Sequence, residues 1–231
     1  MFRSFVLLGF VLLSFLGYAQ KNVVSIRFVP EVMGEDLVAG RSYLVDSKSD
    51  SVRIDVLKYY VSNVKLMRDD SVVFDAVGRF VLVDIRDTSS MLVTLEVEPT
   101  IFFNKIKFDI GIDSATNLKG ALGGALDPTK GMYWAWHSGY INFKLEGSSS
   151  ECKSRKNKFQ YHLGGYASPF STLQTMELAL PVQNESNIEI GFSCDDFLAE
   201  LDFGNTTEVM RPCAMAVELS NKLKRCFYLK R

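Results

Sequence analysis

The chain has 231 residues, 47% hydrophobic and 12% aromatic, with 26 basic against 27 acidic side chains and a net charge of −1. That apolar content excludes general disorder. The balanced charge, with no basic stripe, excludes the electrostatic footprint of nucleic-acid binding.

Residues 1–19, MFRSFVLLGFVLLSFLGYA, place Arg3 before a nearly unbroken apolar run and close on Gly17-Tyr-Ala19. This is the pattern of a secretory signal peptide. It is shorter than the roughly 20 apolar residues of a membrane anchor, and polar Gln20-Lys-Asn22 follows at once. The expected mature protein begins near Gln20, is periplasmic or secreted in the cell envelope, and forms one domain over residues 20–231. No later apolar run approaches spanning length, so no membrane span is expected after cleavage.

Val23–Val29 and Val52–Val56 largely alternate apolar and polar residues and predict half-buried strands. Further strands are predicted over residues 59–67, 80–84, 92–97, 103–112, 140–145, 158–162, 175–180 and 187–192. Turns are predicted at Asp69-Asp-Ser71, Gly147-Ser-Ser-Ser150 and Gln183-Asn-Glu-Ser186. Strands so spaced predict an all-β fold, an antiparallel β-sandwich. A long Gly-rich loop, residues 112–132 with Gly120, Gly123, Gly124 and Gly131, interrupts it, and long ordered loops are often functional. After Met210-Arg-Pro212 the period changes. Ala216, Val217, Leu219, Leu223 and Phe227, with Lys222, Lys224 and Arg225 near the close, predict one C-terminal amphipathic helix over residues 212–227.

Cys152, Cys194, Cys213 and Cys226 all lie late in the chain, and export permits disulfides. Four cysteines allow three pairings; at least one bridge is expected, with Cys194 to Cys213 or Cys226 the first choice. No Cys-x-x-Cys pair suggests a thiolate metal site.

The stretch Gly131-Met-Tyr-Trp-Ala-Trp-His-Ser-Gly-Tyr140 holds both tryptophans and one of only two histidines. Two neutral imidazoles approaching from opposite sides suit Cu(I), and His137 and His162 are the one pair available. The plainer alternative is that each is an ordinary surface or core histidine. If the segment is extended, Trp134 and Trp136 share a face and His137 takes the other; a hydrophobic corner of the sandwich would explain the indoles equally. Met132, and less so Met210, could add thioether sulfur. Asp109, Asp113, Asn117 and Asp127 crowd the Gly-rich loop as hard oxygen donors suited to Ca²⁺, although turn capping accounts for them more simply. Paired carboxylates such as Glu96/Glu98 and Asp195/Asp196 read as solvated strand or turn residues. Without a Gly-x-Ser-x-Gly, P-loop or dinucleotide fingerprint, enzyme activity is not expected.

Leu57–Leu66, Phe108–Ser114, Gly124–Pro128, residues 131–147 (GMYWAWHSGYINFKLEG) and Tyr161-His-Leu-Gly-Gly-Tyr166 together resemble the MbnP-like family of exported bacterial copper-binding proteins. The resemblance implies a β-sandwich in which histidines hold Cu(I) near a tryptophan oxidised to kynurenine by a partner di-haem enzyme of the peroxidase type. On that basis His162 matches a family histidine and Trp134 the modifiable tryptophan. The Trp-x-His arrangement is displaced here: Trp136 stands two beyond Trp134, and His137 follows it. Copper acquisition or storage is the expected role. The alternatives are an envelope or cell-surface interaction module presenting the Trp loop, and, more weakly, an enzyme or redox protein in which an oxidised tryptophan is the reactive group.

Overall fold

The computed structural model describes residues 21–48, 51–137 and 139–230; the expected signal peptide lies outside them. One 18-residue strand, Ser51–Arg68, organises the larger of two sheets. The sequence predicts two strands here, at 52–56 and 59–67, and they are one. Along one edge it pairs with Ser42–Leu44, Phe80–Asp84 and Ser71–Asp75; along the other with Gly139–Ser149 and then Lys105–Ile110. A register shift between Ser62 and Lys65 bends it. Asn63 sits there at φ 50°, a conformation that Asn tolerates better than most residues, and its Nδ2 donates to Asp109 Oδ2 at 2.8 Å.

The sheet continues from Gly139–Ser149 to Lys158–Gly164 and Glu208–Val209, and from Lys105–Ile110 to Gln174–Ala179. In the smaller sheet Asn22–Val32 is central, between Asn187–Ser193 and Leu92–Val97. The sandwich is therefore as predicted, but it is not wholly antiparallel. Asn22–Val32 runs parallel to Asn187–Ser193, and Lys158–Gly164 parallel to Glu208–Val209. Parallel neighbours need long connections, and both pairs are far apart in the chain.

Alternation along Ser51–Arg68 sends Tyr59 into the main core and Tyr60 to the opposite face. Between the sheets, Phe28 meets Phe108 edge-on at 5.5 Å; within the smaller sheet Phe192 meets Phe227, on the neighbouring strand Phe227–Leu229, at 4.8 Å. Tyr60 is equally buried because the Gly-rich loop covers its side of the sheet.

The C-terminal helix spans Ala214–Cys226, with Ala216, Leu219 and Leu223 buried and Lys224 and Arg225 in the last turn. A second helix, Cys194–Ala199, corrects the prediction of strand or turn for Asp195/Asp196. Ser193 Oγ accepts from Asp196 N–H at 3.1 Å, and both acids lie in its first turn, where the helix dipole favours them. Gly147 is likewise corrected from turn to strand.

The expected disulfide is not formed: all four cysteines are free. Three are buried: Cys194 at the start of its helix, Cys226 with its thiol toward Lys222 O at 3.5 Å, and Cys152 beyond the strand Gly139–Ser149. Burial pushes the Cys194 thiol well up and that of Cys226 to about 12, which leaves them unreactive. Alkylation of native protein should therefore give one adduct, at the partly exposed Cys213, and four after unfolding; peptide mapping checks it.

Candidate metal centre

The Gly-rich loop is built from short capped turns. Asp113 caps the turn of helix Ser114–Asn117 by accepting from Thr116 N–H at 2.8 Å, and Asp127 caps Pro128–Lys130 by accepting from Thr129 N–H at 2.8 Å. Buried Asn117 rivets the loop down: its Nδ2 donates to Ile112 O and its Oδ1 accepts from Tyr140 N–H, both at 2.9 Å. Asp109 lies in the sheet and accepts from Asn63 and Thr175. These groups serve local turn and sheet bonds, in keeping with the simpler capping alternative. Among the described residues, no three His, Cys, Asp or Glu side chains converge as metal ligands.

Under the loop, Tyr60, Leu82, Ile112, Leu126, Met132 and Trp134 belong to a second apolar cluster with Tyr140 and Ile141. Met132 is fully buried in it, so its thioether packs as core. Tyr133–Trp134 forms a hairpin with the start of Gly139–Ser149, Trp134 facing Gly139. The chain turns immediately after Trp134, with His137 N–H donating to Trp134 O at 3.2 Å. Strict alternation would separate His137 from both indoles. The turn instead gathers them: the His137 ring lies 5.4 Å from Trp136, 6.4 Å from Trp134 and 6.2 Å from Tyr166, centre to centre. Trp134 is 6% exposed and Trp136 66%.

His162 lies on Lys158–Gly164 opposite Lys144. Its neighbours Tyr161 and Leu163 point into the main core, so His162 faces outward, toward the side that carries Trp134. Yet it is only 4% exposed. The Trp134 ring covers this strand two residues on, where a Cβ on Gly164 would stand 2.7 Å from it. His162 Nε2 is 2.7 Å from Glu146 Oε1, and Lys144 Nζ is 3.1 Å from the same oxygen. A carboxylate accepts only, so Nε2 carries the proton and the lone pair resides on Nδ1. That Nδ1 is buried with no hydrogen-bond partner.

The His162 hydrogen bond, helped by Lys144 and opposed by burial, holds the Glu146 carboxyl at about 2, below its ordinary 4.5. A depressed folded pKa contributes stability that is present above about 4.5 and lost as pH falls toward about 2. Urea unfolding should show Glu146→Gln less stable than wild type at pH 6, with the gap closing by pH 3; a constant gap would contradict the ion-paired Glu146.

The sequence reading missed Glu146. It stands two residues from Lys144, diagonal to His162 across the strand pair, and a diagonal carboxylate–histidine pair is the signal that could have found it.

The MbnP family model matches residues 21–214. A solved structure, MbnP from Methylosinus trichosporium, is similar in fold, with a TM-score of 0.55 at 14% identity over 85% of this chain and 87% of that one. No curated protein matches the sequence.

Proposed function

This chain belongs to the MbnP family, and from that premise we propose that it is an exported copper-binding protein that holds Cu(I) on His162 beside Trp134, in copper acquisition or storage. The observation that carries the reading is the buried, unpartnered Nδ1 of His162. An orphaned polar atom in a packed interior is costly, and a neutral imidazole whose other nitrogen donates to a carboxylate is the arrangement by which histidine ligands are oriented and made more basic. The donor set therefore fits a first-row cation that accepts imidazole.

His137 is the second candidate ligand. Its ring already packs by Trp134, which in turn covers the strand that carries His162. Copper here is cargo, and the chain's own residues bind and orient it: Glu146 fixes the tautomer, Lys144 holds Glu146, and Trp134 screens the strand from water. Oxidation of Trp134 to kynurenine by a di-haem peroxidase-type partner belongs to the same proposal. Trp136, 5.5 Å from Trp134 and exposed, is the indole a docked oxidant meets first.

Elemental analysis with intact mass on protein purified from its own host tests the reading. Bound copper and a mass change located to Trp134 are expected; copper-free protein with unmodified tryptophans would overturn it. The exposed Trp136 favours one second reading, an envelope interaction module that presents this ring to a protein or glycan, and the copper-free result would select it.

A further inference from the structure

An open groove of about 610 Å³ has a lining that includes Trp136, Glu208, Met210, Cys213 and Met215. Three of these side chains end in or carry sulfur, and each is at least partly exposed. Of the three, Cys213 also packs in part against the main core. Met132, by contrast, is wholly buried.

The sheet register links the groove to His162. Glu208–Val209 runs parallel to Lys158–Gly164, with Gln160 opposite Glu208 and Tyr161 opposite Val209. Met210 and His162 are the next residues of the two segments, just past the last pair. Val209 and Tyr161 both enter the main core, so alternation turns Met210 and His162 to the same outer face. The two segments stay adjacent beyond this point, because a Cβ on Gly165 would lie 3.2 Å from Pro212 Cβ. Cys213 follows as the N-cap residue of the C-terminal helix, and its side chain makes no capping hydrogen bond. Its thiol is free for another partner.

Thiolate and thioether sulfur select soft monovalent cations over hard divalent ones. We propose that this groove is a second copper site, in which Cys213, Met210 and Met215 bind Cu(I) on sulfur next to the imidazole centre. Binding replaces the thiol proton, which passes to solvent, with no change in copper oxidation state. Trp136 forms one wall and shields the bound ion, and the Glu208 carboxylate offsets the positive charge of Arg211 on the same rim. The site needs none of the imidazole ligands, so it stands or falls apart from the reading above.

The test supplies Cu(I) anaerobically as its acetonitrile complex and follows alkylation of Cys213 together with copper stoichiometry. In wild type, Cu(I) should slow Cys213 alkylation at least tenfold, and X-ray absorption should show sulfur neighbours. The His162→Ala protein should keep that protection while losing one copper. The Met210→Leu/Cys213→Ser/Met215→Leu protein, near-conservative in volume, should lose the sulfur neighbours and keep the imidazole-bound copper. Equal alkylation rates with and without Cu(I) in wild type would overturn the proposal, as would an absorption spectrum with nitrogen neighbours alone. Protection that persists in a His162→Ala protein with unchanged copper content would refute the imidazole centre only.

Discussion

Replacing His162 by Ala should lower Cu(I) affinity at the imidazole centre by more than about 100-fold, since changes to partners outside the ligand shell already cost about 10–100-fold. The variant deletes a side-chain nitrogen that is buried without a hydrogen-bond partner. It also frees Glu146 from its shortest contact but leaves Lys144 beside it, so the charge is not stranded and folding should survive. His137→Ala should have the smaller effect, because His137 is exposed and its ring packs on Trp136, Trp134 and Tyr166. Competition against a Cu(I) chelator reads both. Equal affinities for wild type and His162→Ala would reject the assignment.

The largest effect on folding is expected from Gly165→Ala, in the same Tyr161–Tyr166 block. Gly165 has φ 135°, which L side chains rarely adopt, and an added Cβ would stand 2.1 Å from the carbonyl oxygen of Phe170. That oxygen is backbone and cannot swing away. Strain of about 1–3 kcal/mol adds to overpacking of about 1–3 kcal/mol. For a chain of this size the melting temperature should fall by about 8–16 °C, taking about 4 kcal/mol at 2–4 °C per kcal/mol. Gly120→Ala is the control: φ is 76°, but nothing lies within 4 Å of the added methyl, so only the conformational cost remains. Comparable melting temperatures for the two variants would contradict the close approach at Gly165.

Much of the architecture was legible in the sequence because strand alternation survives wherever one face is wet. Phe80–Asp84 and Leu92–Val97 fall where the pattern places them. The pattern failed where both faces are buried. Residues 59–62 are uninterrupted by exposed positions because the loop covers Tyr60, and Gly147 reads as a turn although it is a tight crossing over Arg53. The two-residue strands at Glu35–Asp36, Tyr133–Trp134 and Glu208–Val209 have no period to read.

At the candidate site, composition and resemblance picked out His162, His137 and Trp134. Their relation depends on a turn at residues 135–137 that alternation could not anticipate. The Glu146 partner and the sulfur groove depend on which residues fall opposite one another across strands, information that a linear sequence holds only after the register is known. The disulfide expectation came from compartment and cysteine count, and neither carries side-chain direction.

The parallel alignment of Asn22–Val32 with Asn187–Ser193 joins partners about 160 residues apart in the chain. Closing so long a loop is entropically slow and comes before any reward from contact. The smaller sheet therefore cannot zip up until nearly the entire polypeptide has emerged from whatever machine makes or moves it. His137 and His162 lie earlier, so a nascent chain displays both imidazoles before the scaffold that orients them exists. On the proposed copper reading, delivery of the metal follows completion of the chain, and the finished sandwich, not the growing peptide, is the species that competes for it.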